Sequence, residues 1–387
     1  MSTEFNRKED YMRNILRNLS VLLVVLLFAA PVFGGGARAA DDTIHVALSA
    51  PITGDWSEYG VNFQRSLELA ISELNAEGGI LGRQVRFSVG DTQGSPQQAA
   101  TLAQQWTSDP TVVAEIGPFA SGPSMAAQPI YDSAGMIQLS PTASHTEYAG
   151  GSPWSFGIVG TQAGEGPFNA RYAYNEIGIR NIAILHLNND WGIDTMEYFG
   201  AAFEALGGTV VATEFYFDGE SDFTAVLSSL ESSGADGLFI ASFYNDAAAI
   251  SIQKARLGWD VPVLGPTSLY SPQLIALGGD AVEGIYTATG FFTPDPDPRV
   301  RAYVSAFEQA YGAEPNFHAA LAYDAMMLLA DAIERAGSTE SVAIRDALAA
   351  TTDFPGLAGN ITFTPKGDAV KGYRMLTIRN GEFVVYE

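Results

Sequence analysis

The hydroxyl residues Ser121, Thr142 and Ser144 fall in small-residue loops that follow two apolar runs, at 112–116 and 136–139. Hydroxyls in such loops donate hydrogen bonds without adding charge. Between the runs, a helix-like stretch over 123–133 is closed by Ala134-Gly135. The pattern predicts strand, helix, strand. Ser121 then lies at a strand end and helix start, and Thr142 and Ser144 follow the next strand. In open parallel sheets, ligands bind beyond the carboxyl ends of strands. A helix N-terminus adds unpaired N–H groups and partial positive charge. The chemistry on offer is a cradle for a small anionic group, a carboxylate, rather than catalysis. The competing role for all three residues is helix capping, the commonest job of Ser and Thr at such positions.

Catalytic machinery has little support elsewhere. The four histidines, at 45, 145, 186 and 318, show no metal-ligand spacing, and there is no cysteine. No Gly-x-Ser-x-Gly elbow occurs. Gly78-Gly79-Ile80-Leu81-Gly82 follows a helical pattern rather than a strand, so it reads as a helix stop and not a dinucleotide loop. The expectation is a binding protein with no metal and no cofactor.

The elements that position the cradle alternate. Phe63, Leu67, Ala70, Ile71 and Leu74 recur at helical spacing between β-rich runs at 44–49 and 84–89. The same order returns later, with strands at 181–187, 209–217, 237–242 and 261–264 separated by helical stretches ending in glycine. Strands alternating with helices predict βαβ units and parallel sheets. Two such sets predict an α/β protein of two Rossmann-like lobes. A strand at 285–290 precedes the stiff run Thr293-Pro294-Asp295-Pro296-Asp297-Pro298. Three helices follow, at 300–311, 318–336 and 341–349. The tail predicts a short strand at 361–363 and an antiparallel pair turned at Asn380-Gly381. A chain that returns in this way joins the lobes by a multi-strand hinge. The expected division is 41–160 with 288–357 for lobe one, and 161–287 with 358–387 for lobe two.

Residues 1–39 read as a cleaved secretory signal. Arg13 and Arg17 precede an apolar run at 21–30, and Ala37-Arg38-Ala39 is a small-x-small cleavage site. That run is short for a membrane span, which needs about 20 residues. Without cysteine there is no lipid attachment site, so the expected location is the periplasm. The formal net charge of −24 argues against nucleic acid and anionic membrane as partners.

In order and spacing, several local motifs resemble the leucine/isoleucine/valine-binding protein family, the type I periplasmic substrate-binding proteins of ABC importers. They are Pro51-Ile52-Thr53-Gly54 with Tyr59-Gly60, Asn75-Ala76-Glu77-Gly78-Gly79-Ile80, Ile116-Gly117 with Ser121, and Ser140-Pro141-Thr142-Ala143-Ser144. Asp190-Trp191-Gly192, Gly265-Pro266 and Pro365-Lys366-Gly367-Asp368 continue the series. The resemblance implies a monomer that clamps one small carboxylate-bearing ligand, above all a branched-chain amino acid, and delivers it to membrane permease subunits. A ligand-sensing partner of a membrane receptor would need the same clamp. It implies carboxylate contacts at Ser121, Thr142 and Ser144, and pocket roles for Tyr59, Trp191 and Tyr244. Phe119 and His318 become candidate walls.

One departure bears on the ligand. Family members that bind amino acids hold the ammonium with an acid after the lobe-two Gly-Pro, where this chain has Thr267. A second acidic position is Gln162 here. A buried ammonium needs a counter-charge or a full set of acceptors. Asp190, Asp246 and Glu165 are the substitutes within reach of the pattern, and a non-amino carboxylate or amide is the alternative ligand.

Overall fold

Nearly continuous apolar runs become parallel strands covered on both faces. The computed structural model describes residues 43–386, so the signal expected at 1–39 lies outside the described residues. The first sheet has the order β2-β1-β3-β4-β5, from β1 (Ile44–Ala50), β2 (Val85–Asp91), β3 (Val112–Ile116), β4 (Ile137–Ser140) and β5 (Ser155–Gly157). All of its pairs are parallel. Its helices are α1 (Ser57–Ala76), α2 (Pro96–Ser108) and α3 (Ser121–Ala134).

The second sheet has the order β12-β11-β10-β9-β8-β6-β7. Its strands β6 (Asn181–Leu187), β7 (Thr209–Tyr216), β8 (Gly237–Ala241), β9 (Val263–Gly265) and β10 (Tyr286–Thr289) run parallel. The hairpin β11 (Arg374–Arg379) and β12 (Glu382–Val385) adds antiparallel to β10. Between these strands lie α4 (Gln162–Arg171), α5 (Asp190–Ala205), α6 (Thr224–Ser232), α7 (Tyr244–Leu257) and α8 (Pro272–Gly278). This is the α/β architecture of two mostly parallel sheets that the alternation predicts. The last helices, α9 (Pro298–Tyr311), α10 (Phe317–Ala336) and α11 (Ser341–Ala349), follow β10 yet pack on the first sheet's side, α9 and α10 against α1.

The chain therefore crosses between sheets three times, after β5, after β10 and before β11. The crossings run side by side. Tyr373 Oη donates to Val159 O at 3.3 Å, and a Cβ on Gly290 would stand 3.6 Å from Gly372 O. Asp324 on α10 anchors the segment before the third crossing by accepting from Leu357 N at 2.7 Å and Ala358 N at 3.0 Å. Lys371 Nζ completes the anchor on Ala358 O and Gly359 O.

Three expectations shift. The stretch 358–369 pairs on the first sheet's side, through the bridge Gly157↔Asp368, and not with the second sheet. Residues 288–289 belong to β10 in the second sheet. The strand expected at 361–363 is reduced to isolated bridges, Phe354↔Ile361 and Phe363↔Ala369, because no neighbouring strand extends the ladder. Helix α4 was hidden in the sequence by Gly164, Gly166 and Pro167, and it is held by packing against α5.

Candidate functional site

The carboxyl ends of β3 and β4 bring the hydroxyl loops together. Gly117 makes this possible: at φ +117° its backbone passes Ser49 O so closely that a Cβ would stand 2.1 Å away. Helix α3 then begins with Ala120 as N-cap and Ser121 as its first residue. No side chain caps it. Ser121 is thus not a cap for its own helix. Its Oγ instead accepts from the neighbouring loop, from Ser144 N at 3.3 Å and His145 N at 3.2 Å. With its lone pairs so engaged, the Ser121 hydroxyl keeps its proton to donate.

Ser144 has the same polarity. Its Oγ accepts from Gln162 Nε2 at 2.9 Å, leaving its O–H free. Thr142 differs. Its Oγ1 donates to Phe119 O at 2.6 Å, which ties the two loops together and leaves it only as an acceptor. The three residues the sequence groups together do meet, as two donors and one loop tie.

Together with Phe119, Ala120, Val159 and Trp191, these hydroxyls line a cavity of ≈ 20 Å³, room for about one water. Phe243, Thr267, Ser268 and His318 complete the lining. Ala120, Val159 and Ser268 carried no sequence signal, being small or apolar residues at element ends. Trp191 sits in the first turn of α5, not in a loop as the run Asn188-Asn189-Asp190-Trp191-Gly192 suggests. Asn189 caps that helix, its Oδ1 accepting from Gly192 N at 2.8 Å. Trp191 is 7% exposed and stacks on Phe243 with ring centroids 4.8 Å apart. Phe119 stacks on Tyr59 at 4.3 Å.

His318 begins α10 as a buried wall. Burial pushes its pKa down to about 3, so the imidazole is neutral. Its Nδ1 has no hydrogen-bond partner. It meets Tyr59 edge-on at 4.7 Å.

Tyr59 and Tyr244 lie beside the lining, not in it. The Tyr59 hydroxyl donates to Ser268 O at 2.9 Å and accepts from Tyr244 N at 3.3 Å, so one phenol joins α1 to the second sheet's loops. Tyr244 Oη reaches back to Asp55 O at 3.4 Å. Tyr59→Phe keeps the ring and orphans two backbone groups. A loss of about 1–1.5 kcal/mol, roughly five- to ten-fold in ligand affinity, is expected by calorimetric titration. Unchanged affinity would make the phenol a packing group alone.

The three candidate acids separate clearly. Asp190 is exposed, its Oδ2 3.2 Å from where a Cβ on Gly122 would stand. Asp246 is engaged by Tyr216 Oη at 3.0 Å. Glu165, on α4, is 2% exposed and lies behind the lining. Its Oε1 accepts from Thr267 N at 2.5 Å, and its Oε2 lies 3.4 Å from Gln162 Nε2. Burial raises its pKa to about 7, against the pull of the Thr267 and Gln162 hydrogen bonds. No charged side chain lines the cavity.

Among the described residues, no group of three or more His, Cys, Asp or Glu could hold a metal ion. No described helix is long and apolar enough to cross a membrane.

Relatives share this frame. The leucine-, isoleucine-, valine-, threonine- and alanine-binding protein of Pseudomonas aeruginosa is 28% identical over 364 residues, covering 93% of this chain and 94% of that protein. A leucine-binding protein of Thermotoga maritima matches with a TM-score of 0.83 at 28% identity, over 89% of this chain and 98% of its own. A putative branched-chain amino acid ABC transporter structure from Rhodospirillum rubrum matches at 38% identity and TM-score 0.69, over 89% and 100%. A family profile described as periplasmic binding protein spans residues 43–382. The chain belongs to the periplasmic binding protein family.

Proposed function

We propose that this protein is an exported solute-binding protein. It captures a small carboxylate with an apolar body and delivers it to the permease subunits of an ABC importer. One observation carries the ligand class: two hydroxyls, Ser121 and Ser144, each accept from protein N–H groups and keep their protons free beside an uncapped helix N-terminus. Donors so arranged suit a carboxylate, and α3 adds its partial positive charge. Each sheet with its helices acts as a lobe, and the lobes close over the ligand. The small cavity means that the aromatic lining shifts to admit it. The protein binds rather than transforms its ligand, acts as a monomer, and works in the periplasm after loss of its signal segment.

The names of the relatives favour a branched-chain amino acid. The lack of any acid in the lining favours a second reading, a ring or aliphatic carboxylate without an ammonium group. A buried ammonium left without counter-charge costs several kcal/mol. A thermal-shift screen that pairs each amino acid with its deaminated acid separates the two. Stabilisation by leucine, isoleucine or valine, with none by their keto acids or by aromatic acids, selects the amino-acid reading. The reverse selects the second, and no response to any carboxylate would sink both.

A further inference from the structure

Gln162 is the link between the two halves of the site. Its backbone N–H donates to Ser144 O at 3.0 Å. Its side-chain amide donates through Nε2 to Ser144 Oγ at 2.9 Å, with Glu165 Oε2 at 3.4 Å on the same NH2 group. The amide oxygen, Oε1, is buried and has no partner. An amide left with an orphaned oxygen would ordinarily turn over, and something must hold it against that tendency.

Glu165 does so. In its ionised form, which prevails above about pH 7, its carboxylate only accepts hydrogen bonds. A flipped Gln162 would set Oε1 against it, acceptor facing acceptor in a buried site. Thr267 N fixes the carboxylate at 2.5 Å, so it cannot swing away. We infer that Glu165 is a positioning residue for ligand selection: it holds the Gln162 NH2 toward Ser144, which keeps the Ser144 proton free to donate into the cavity. Ser121 is set as a donor independently, by Ser144 N and His145 N. Both hydroxyls then demand an acceptor. A carboxylate offers two. A primary amide offers one, and its NH2 stands where the free Ser144 proton would meet a second acceptor.

This inference rests on the carboxylate reading above. Glu165→Gln replaces the acceptor-only group with one that also donates. Gln162 is then free to turn, and Ser144 becomes a donor to Oε1 and an acceptor toward the ligand. The test, at pH 8 so that Glu165 is ionised, titrates wild type and variant with L-leucine, 4-methylpentanoate and benzoate, and with the primary amide of each. Wild type should prefer the acid. The variant should lose roughly ten-fold or more of the acid-to-amide ratio, with amide affinity unchanged or improved. A merely structural role would weaken acid and amide together, and an unchanged ratio would overturn the inference. Gln162→Met removes the NH2 donor at similar length and should lower the ratio in the same way. It carries the test if Glu165→Gln does not fold. If wild type binds none of the acids, the carboxylate reading fails and takes this one with it. If wild type prefers acids and both variants keep that preference, this inference alone fails.

Discussion

Glu115→Gln is expected to raise the melting temperature, and the gain should widen as pH rises. Glu115 stands on β3 between Ala47 of β1 and Gln138 of β4, at the centre of the first sheet. It is fully buried, and neither carboxyl oxygen has a hydrogen-bond partner. Burial pushes its pKa from 4.5 to about 8, with Ser49 and Tyr131 near enough to moderate the effect. The fold thus favours the protonated form. The stability this contributes is fully present below about pH 4.5 and is lost as pH rises through about 8. The shift corresponds to on the order of 4–5 kcal/mol between those limits. Glutamine matches the neutral acid in shape and never ionises. Melts of both proteins at pH 5, 7 and 9 should show curves that are close at pH 5 and diverge above it. A constant difference would mean that Glu115 finds a partner for its charge.

Ser121→Ala should weaken ligand binding about ten- to a hundred-fold, the worth of one charge-assisted hydrogen bond of roughly 1.5–3 kcal/mol. The substitution also leaves the amides of Ser144 and His145 without their acceptor, which loosens the second hydroxyl loop. Thr142→Val is the informative companion. Thr142 donates to Phe119 O, so its loss should act through loop position and weaken binding less. Calorimetry with the tightest-binding carboxylate of the panel decides the order. Equal affinity of Ser121→Ala and wild type would reduce Ser121 to a strut between loops.

Much of the frame was legible because its signals are local. Glycine stops after helices, apolar runs of strand length and Asn380-Gly381 at the β11–β12 turn are each set by a few neighbouring residues. Helix α4 was not legible, since Gly164, Gly166 and Pro167 break its pattern and it packs against α5. Trp191 shows the same limit at one residue. A tryptophan among asparagines reads as exposed, and only the Asn189 cap and the Phe243 ring bury it. For the cradle, spacing predicted which hydroxyls meet. It did not reveal which way each proton points, because that depends on Gln162 and Glu165, reached through a different helix. The position of Glu165 behind Thr267 is a tertiary fact with no sequence counterpart.

The three crossings have a mechanical consequence. Two bodies joined at one point can bend, swing and twist relative to each other. Three ties laid side by side, with Asp324 anchoring the approach to one of them, resist twist and swing more than bending. The arrangement predicts the movement of a door rather than that of a ball joint. Opening is then expected to follow a single coordinate, and one pair of fluorescent labels at Glu147, in the loop after β4, and Glu197, on α5, which line one surface cleft, would follow it.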